Sequence, residues 1–407
     1  MSNKSFLNWE RQFRYLVWTK IFGCALYVQP VLILYYGTKG LTLSDFFLIQ
    51  PIFSLTTFFL QVPCGYLSDK WKRVNVMRLG IVFTVMGTYW MFFAEGIFQL
   101  AFVPFFFACG FSLSSSSYGA IVYDSLLSLK RADEFPKVIG QLNAIGRYAL
   151  AFSALFSGLF YSYYIHLPVF VQMVSMFFYT YFTWQVMEPQ RKKQAVGYNH
   201  MHMIAQTIKY VLYKHVDLKW VILILCVIAV ANTKAYWVIQ PLVSDIENFT
   251  MNLYFVKFEI QSTYLLGLAA AITFTLSGVA AQLTHKIEHV ICAKKLLLFA
   301  AICSFTSYAF AGLSSGLLMP IFLLGAFVAF GVAQVVTQTM INERVTSDIR
   351  ATTLAITSST NGLIFSIVTP VFAWGINAVS INFAMLCMGI YIAIATLTAW
   401  FFIKKEA

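Results

Sequence analysis

Three basic residues, Lys20, Arg147 and Lys234, lie inside long apolar runs of the sequence, where a charged side chain is costly and is usually kept for a function. None of the 16 Asp and Glu residues is placed at a comparable depth. In a cleft of low dielectric constant, unpaired cations attract an anion strongly, and the planar guanidinium of arginine matches carboxylate or phosphate. The sequence therefore predicts an electropositive binding site for a small organic anion, such as a carboxylate metabolite or a siderophore.

Each of these cations also has a simpler explanation. Lys20 lies about two turns inside its run, so its ammonium can extend to the membrane surface. Arg147 can bind backbone carbonyls or support packing between helices. Lys234 is farthest from either surface, and it is therefore the strongest candidate for binding the substrate.

Polar and aromatic residues near these cations complete the candidate site. Gln29 and Gln240 each precede a proline, which frees a backbone carbonyl within an apolar run. The two runs share a short repeat, since Val-Gln-Pro-Val and Ile-Gln-Pro-Leu each follow a lysine, although two such matches can also coincide by chance. The remaining candidates supply amides or rings: Asn143, Asn232, Tyr236 and Trp237.

The composition indicates the environment in which these residues work. Of 407 residues, 59% are hydrophobic and only 11% are charged, whereas soluble domains carry roughly 25% charged residues. The 40 Phe, 22 Tyr and 9 Trp residues give more apolar surface than a soluble protein of this size could bury. The chain is therefore predicted to be a membrane protein, which excludes a soluble enzyme, a nucleic-acid-binding protein and a secreted disulfide-rich protein.

Apolar runs bounded by charged residues or by Gly and Pro predict twelve membrane-spanning helices, since about 20 apolar residues cross a bilayer. The expected fold is all-α, with an N-terminal six-helix bundle over 1–187, a cytoplasmic linker over 188–218 and a C-terminal six-helix bundle over 219–407. Within the linker, apolar residues at helical spacing predict an amphipathic helix on the membrane surface: Met201, Ile204, Ile208, Val211 and Leu212. The predicted spans are 15–37, 42–66, 74–94, 97–123, 138–162, 167–187, 219–244, 260–283, 294–313, 315–341, 352–376 and 381–403.

Basic residues predict the orientation of these spans. When alternate loops are assigned to opposite sides, all but five of the 28 Lys and Arg residues fall on the side shared by both termini and the linker. Lys39 and Lys257 lie on the other side, and the three cations described above lie within spans. Basic loops stay in the cytoplasm, so we expect both termini there. The polar N-terminal residues lack a cleavage-type site, which predicts no removable signal peptide.

The loop between the second and third predicted spans carries the most specific motif in the sequence. It reads Gly65-Tyr66-Leu67-Ser68-Asp69-Lys70-Trp71-Lys72-Arg73 and resembles the corresponding loop of the major facilitator superfamily, which has glycine in place of Lys72 and a basic residue in place of Val74. Bacterial members are also similar at Gln61-Val62-Pro63, Tyr123-Asp124-Ser125-Leu126 and Arg350-Ala351-Thr352. The resemblance implies two six-helix bundles, alternating access and a place in the bacterial inner membrane, but it does not specify a substrate.

The same resemblance implies a conformational latch formed by Gly65, Asp69, Arg73 and Asp124. The carboxylate of Asp69 can accept hydrogen bonds from free N–H groups at the start of a neighbouring helix, and Arg73 can form an ion pair with Asp124. The simpler explanation is a basic cytoplasmic loop with one solvated Asp. The equivalent loop of the second half, Gly278–Lys286, has no Asp at the matching position, so the latch is expected to be asymmetric.

Two transport functions fit these residues. The first is a secondary transporter that moves a small organic anion by alternating access, and the second is a proton-driven antiporter that exports drugs or amphipathic compounds. The second is less favoured because Gly140–Arg147 in span 5 lacks the Gly-Pro-rich antiporter signature. We expect a monomer in the lipid bilayer with a small-molecule substrate, no enzymatic activity, no cofactor, no metal site and no nucleic-acid partner. Proton coupling stays open, since Asp124 could titrate, the substrate could bring the proton, or transport could be uncoupled.

Overall fold

The computed structural model describes residues 3–131, 134–189, 216–244, 249–253, 256–260, 262–287, 290–316, 318–344 and 347–402. These residues are almost entirely helical. The amphipathic helix predicted within the linker, over 201–212, lies outside the described residues.

Long helices alternate with short connections along the described chain. The first half comprises α1 (Asn3–Cys24), a short 3-10 helix (Gln29–Val31), α2 (Leu32–Thr38), α3 (Leu43–Lys70), α4 (Arg73–Phe93), α5 (Gly96–Leu100), α6 (Phe102–Ser128), α7 (Phe135–Tyr163) and α8 (Leu167–Gln185). The second half comprises α9 (Val216–Ser244), β1 (Phe249–Leu253), β2 (Val256–Ile260), α10 (Ser262–Ile287), α11 (Ala293–Leu313), α12 (Leu318–Arg344), α13 (Ser347–Ala378) and α14 (Ile381–Phe402).

The predicted all-α membrane fold is confirmed. Within the described residues, eleven helical stretches are long and apolar enough to cross a bilayer, with α1 and α2 counted together. The 19 residues of α8 extend about 28 Å and add a twelfth helix of spanning length. Helices are expected because a backbone surrounded by lipid must satisfy its own hydrogen bonds. One feature was not predicted: β1 and β2 form an antiparallel hairpin, in which Phe249 pairs with Ile260 and Leu253 with Val256.

The first predicted span, 15–37, is not one continuous helix. α1 ends at Cys24, residues 25–28 are not helical, and a 3-10 turn leads into α2. Pro30 lies in this turn, where its missing N–H and fixed φ favour an interruption. A span that hydropathy alone predicts to be continuous is therefore interrupted next to the Gln29-Pro30 motif.

The chain divides into two compact units, Met1–Leu41 with Ile52–Gly197, and Thr42–Pro51 with Tyr198–Ala407. This division departs from the predicted bundles at Thr42–Pro51, which begins α3 but packs in the second unit. We call these residues the α3 start. The predicted limits of the linker, 188 and 218, stay a prediction.

Each unit has its own apolar core. The core of the first unit joins α1, α4, α6 and α7 through residues that include Leu16, Met77, Ile121 and Leu142. The core of the second unit joins α9, α11, α12 and α14 through residues that include Val221, Leu297, Val336 and Ala399. Small residues let neighbouring backbones approach closely, since a Cβ added at Gly110 of α6 would lie 2.8 Å from the carbonyl oxygen of Gly80 in α4. These contacts hold the helices that carry the candidate site.

Candidate functional site

Lys234 lies well inside α9 and is completely buried. Its Nζ donates a hydrogen bond to the hydroxyl of Thr369 on α13 and lies 3.6 Å from the ring centroid of Phe365, also on α13. A second ring, that of Phe47 in the α3 start, lies 5.3 Å away. Among the described residues, no carboxylate lies within ion-pair distance of this ammonium. A hydroxyl and two aromatic faces therefore stabilise the positive charge in place of a counterion.

The α3 start begins with a capping box. The carboxylate of Asp45 accepts hydrogen bonds from the backbone N–H of Thr42 at 3.0 Å and from its hydroxyl at 2.7 Å. In return, the backbone N–H of Asp45 donates to the Thr42 hydroxyl at 3.2 Å. These reciprocal bonds satisfy N–H groups that the first helical turn leaves free, which explains why the helix begins at Leu43.

Side chains of the α3 start pack on α9 and α13. The hydroxyl of Ser44 donates to the carbonyl of Ala373 at 3.2 Å. Two edge-on ring contacts follow, Phe46 with Trp237 at 5.1 Å and Phe47 with Phe372 at 5.2 Å between ring centroids. The predicted site residues Lys234 and Trp237 are therefore covered by the same short segment, which the sequence did not identify as part of the site.

Asn232 and Tyr236 lie one helical turn apart on α9, and the ring of Tyr236 faces α10. The ring of Tyr236 lies 5.6 Å from that of Phe274 and 5.0 Å from that of Trp237. Within the described residues, the Tyr236 hydroxyl and Oδ1 of Asn232 are buried without a hydrogen-bond partner, which is costly for the protein alone. Lys234, two residues from each, points to a different face of α9. The structure thus separates the predicted residues of this helix into two groups.

The break between α1 and α2 is held by side chains from two other helices. The backbone N–H of Tyr27 donates to Oε1 of Gln172 on α8 at 2.7 Å, and the carbonyl of Tyr27 accepts a hydrogen bond from the hydroxyl of Ser157 on α7 at 2.6 Å. Both side chains are buried. They replace the hydrogen bonds that a continuous helix would have made. The sequence prediction missed both residues, and its only signal for them is their polarity within apolar spans.

Lys20 and Arg147 differ in their surroundings. Nζ of Lys20 lies 4.4 Å from the ring centroid of Tyr118 on α6, so its charge rests on an aromatic face. Arg147 is exposed on α7 and shares its helix face with Asn143, which is also exposed. The preceding Gly146 packs against α1, since a Cβ there would lie 3.0 Å from Sγ of Cys24 and 3.8 Å from Cδ of Lys20.

Both glutamines that precede a proline are at least partly enclosed. Gln29 is half-buried in the 3-10 turn, and Gln240 is 4% exposed in the last turns of α9. Pro241 does not interrupt α9, which continues to Ser244. The two motifs therefore place their glutamines in different backbone settings.

The ion pair predicted for the latch is present. Nη1 of Arg73, at the start of α4, pairs with the carboxylate of Asp124 in α6 and donates to the carbonyl of Ala120 at 3.0 Å. Asp69 lies in the last turn of α3, and its side chain is outside the described set. The pairing joins α4 to α6 within the first unit, and its role as a latch stays a prediction.

At two positions of the Gly65–Arg73 motif, the structure shows whether the backbone conformation or the packing requires glycine. Lys72 has φ −66° and ψ 124°, which any residue adopts, so a lysine in the family's glycine position does not strain the turn. Gly65 lies within α3, and a Cβ added to it would meet no atom within 4 Å. Within the described residues, close packing does not explain the glycine at position 65.

Glu188, the first residue of the predicted linker, caps α4. Its two carboxylate oxygens accept hydrogen bonds from the backbone N–H groups of Arg73 at 3.0 Å and Val74 at 2.8 Å. A carboxylate at this end of a helix is favoured by the helix dipole. The amide of Gln12 binds the backbone of Met187 in both directions, at 2.9 and 3.0 Å. The segment after α8 is therefore tied to the helix that carries Arg73.

A polar cluster anchors the end of α2. The hydroxyl of Tyr35 and Nδ1 of His166 are 3.4 Å apart, and Nζ of Lys39 donates to the carbonyl of Phe92 at 2.9 Å. Burial lowers the pKa of His166 below its ordinary value, and the charge of Lys39 lowers this pKa further. His166 precedes α8, so this cluster connects the second piece of the broken helix to α8.

Metal ligands are not grouped in the part of the chain that the structure describes. No set of three or more His, Cys, Asp or Glu side chains there is arranged to hold a metal ion. The described site residues carry cations, amides, hydroxyls and aromatic rings.

Comparisons with known proteins identify the fold and the family. A family model described as Major Facilitator Superfamily matches residues 21–369. A comparison with curated protein sequences finds no match. Among solved structures, the chain is similar to the nucleoside transporter NupG, with a TM-score of 0.76 at 11% identity over 100% of both chains.

Two further solved structures share this fold. One is a bacterial homologue of the human lysosomal transporter Spinster in an inward-facing and unoccupied conformation, with a TM-score of 0.71 at 13% identity over 98% of this chain and 97% of that one. The other is a POT family transporter in complex with 5-aminolevulinic acid, with a TM-score of 0.68 at 11% identity over 97% of this chain and 95% of that one. At these identities the likeness shows the fold alone.

Proposed function

The chain belongs to the Major Facilitator Superfamily and is therefore a multi-pass membrane transporter that works by alternating access, and we propose that its substrate is a small organic anion. A carboxylate metabolite or a siderophore has the required charge. Lys234, Arg147 and Lys20 are proposed to supply the positive charge of the binding site. Gln29, Gln240, Asn143, Asn232, Tyr236 and Trp237 are proposed to supply hydrogen bonds and ring contacts.

The burial of Lys234 carries this proposal. A fully buried ammonium without a described carboxylate partner is expensive within a membrane, so such a residue is usually retained for a function. An anionic substrate would supply the missing countercharge and form a charge-assisted hydrogen bond. Lys20 supports the same interpretation in the first unit, because its ammonium also rests on an aromatic ring.

The distribution of basic residues supports a location in the bacterial inner membrane with cytoplasmic termini. In that orientation the Arg73–Asp124 ion pair, with Asp69 and Gly65, is proposed to latch the cytoplasmic ends of the helices. We propose that the substrate brings any coupled proton, because no described carboxylate lies within ion-pair distance of Lys234. The pH dependence of uptake should then follow the ionisation of the substrate.

Uptake into proteoliposomes containing the purified protein tests the substrate class. Radiolabelled citrate, glucose 6-phosphate and a hydroxamate siderophore represent organic anions, whereas a nucleoside and a dipeptide represent substrates of other classes. Uptake of 5-aminolevulinic acid, the compound bound in one structural neighbour, is measured as well. Dye efflux from the same proteoliposomes tests the alternative that the protein exports drugs or amphipathic compounds. We expect uptake of at least one anion and of neither the nucleoside nor the dipeptide.

Substitutions connect uptake to the proposed site. Lys234→Met and Arg147→Gln should each lower uptake of the anion at least about tenfold, the effect of losing a hydrogen bond to a charged group. Lys295→Met, at the exposed start of α11, is the matched control and should leave uptake unchanged. Transport of an uncharged compound that is insensitive to Lys234→Met and Arg147→Gln would refute the organic-anion proposal.

A further inference from the structure

The enclosure of Lys234 is built from two different helices. α13 contributes the hydroxyl of Thr369 and the ring of Phe365, and the α3 start contributes the ring of Phe47. Lys234 and Phe47 are both 0% exposed, so no solute reaches the ammonium in this conformation. An anion can bind there only after at least one part of the enclosure has moved.

Of the two helices that enclose Lys234, only α3 is divided between the two compact units. α3 continues beyond Pro51 as part of the first unit, whereas α13 lies entirely in the second unit with Lys234. Among its described contacts with α9 and α13 are a hydrogen bond from Ser44 to Ala373 and ring contacts of Phe46 and Phe47. Such contacts are individually weak and can be exchanged for others during a conformational change.

We propose that Phe47 determines substrate specificity by covering Lys234, so that an anionic substrate must displace its ring from the ammonium. This inference rests on the proposed organic-anion function. An aromatic face stabilises a cation through its quadrupole, and a carboxylate or phosphate oxygen replaces that interaction with a full charge and a hydrogen bond. A neutral solute offers no comparable replacement, so the covering ring favours anions over uncharged compounds of the same size.

Binding of citrate and of glucose 6-phosphate to purified protein tests the displacement. Phe47→Leu keeps apolar bulk but removes the aromatic face, so it should tighten the Kd of the anion that binds about 2- to 30-fold. Phe46→Leu, which removes an equally buried neighbouring ring packed on Trp237, is the matched control and should not tighten binding. Phe47→Tyr keeps the aromatic face and should bind like the unmodified protein.

A double substitution separates the ring–cation contact from general packing. In a Lys234→Met background, Phe47→Leu should no longer change the Kd, because the ammonium that the ring covers is absent. An unchanged or weaker Kd in Phe47→Leu, or an equal tightening in Phe46→Leu, overturns the proposal. If Phe47→Leu does not fold, Phe47→Met is used with the same expected tightening.

Chemical labelling of the lysine tests the cover without a substrate. Acetylation by an amine-reactive ester, followed by mass spectrometry of the peptide that contains Lys234, should increase several-fold in Phe47→Leu and not in Phe46→Leu. Equal labelling of Lys234 in all three proteins refutes the cover. If labelling increases but neither anion binds any variant, the cover is supported and the organic-anion function fails, so the two failures are distinguishable.

Discussion

The same motif has different structural outcomes in the two halves of the protein. In the first half, Gln29-Pro30 interrupts the helix between Cys24 and Leu32, whereas in the second half α9 runs through Gln240-Pro241 to its end at Ser244. Both motifs follow a lysine in the same predicted span. The proline alone therefore does not determine whether a membrane helix breaks.

Hydrogen-bond partners on neighbouring helices explain the difference. In the first half, Gln172 and Ser157 bind the backbone of Tyr27 and so satisfy polar groups released by the break. In the second half, Pro241 lies in the last turn, and its carbonyl accepts a hydrogen bond from Ser244 of its own helix at 2.8 Å. A span can thus be interrupted within the membrane where other helices supply partners for its backbone.

The largest effect on this comparison is expected from Gln172→Leu. The substitution leaves the backbone N–H of Tyr27 buried without a partner, which should lower the free energy of unfolding by about 2 kcal/mol. Chemical unfolding in mixed micelles measures this change. Thr180→Val, which removes a hydroxyl that binds within α8 itself, is the control and should cost less than about 0.5 kcal/mol. Equal losses in both variants would mean that Gln172 does not hold the break.

The two lysines should differ in how much their replacement by methionine changes stability. Lys234→Met removes a fully buried charge from an aromatic enclosure and should raise the free energy of unfolding by about 1–2 kcal/mol while lowering anion uptake at least about tenfold. Lys20→Met, at a half-buried position, should change stability by less than about 0.5 kcal/mol. Unfolding and uptake are measured on the same preparations. A loss of stability in Lys234→Met would show that the lysine serves packing rather than transport.

The prolines sharpen the comparison with a smaller effect. Pro241→Ala restores an N–H that can bond the carbonyl of Trp237 within α9, so it should stabilise the protein by about 1 kcal/mol. Pro30→Ala should destabilise it by about 0.5 kcal/mol, because the break is held by other residues and the unfolded chain gains freedom. Thermal unfolding of the two variants in the same detergent measures whether each substitution raises or lowers stability. Stabilisation by Pro30→Ala would indicate that the proline itself forces the break.

The smallest effect concerns the anchor of α2 and its pH dependence. Because the pKa of His166 is lowered in the folded protein, the folded state binds the proton less well than the unfolded state. The stability that comes from the neutral imidazole is complete above its ordinary pKa of about 6.5 and is lost as the pH falls through the lowered pKa. Between pH 7.5 and pH 5, the Tm should therefore fall more in the unmodified protein than in His166→Gln. An equal fall in Tm in both proteins would show that His166 does not help to anchor α2.

Hydropathy and charge predicted the class of fold because they report directly on lipid contact and topology. Helical periodicity could also have separated Lys234 from Asn232 and Tyr236, since residues two apart face different sides of a helix. The break in the first span could not be predicted, because it depends on partners 130 and 145 residues away from Tyr27.

Buried polar residues show why the remaining site was missed. Ser153 and Ser162 bind carbonyls of α7 itself, whereas Ser157 on the same helix binds Tyr27 of another segment. Nothing in the local sequence distinguishes these serines. The aromatic cover of Lys234 was missed for a related reason, since Phe46 and Phe47 are only two of 40 phenylalanines in an apolar chain.

The boundary between the two compact units crosses α3 at Pro51 and Ile52. Proline has no N–H, so the carbonyl four residues earlier, that of Phe47, loses its usual partner within the helix. Bending a helix is easiest where such a bond is missing. Pro51 lies one turn after Phe47, so a bend of α3 at this position would shift the backbone of the residue whose ring lies over Lys234.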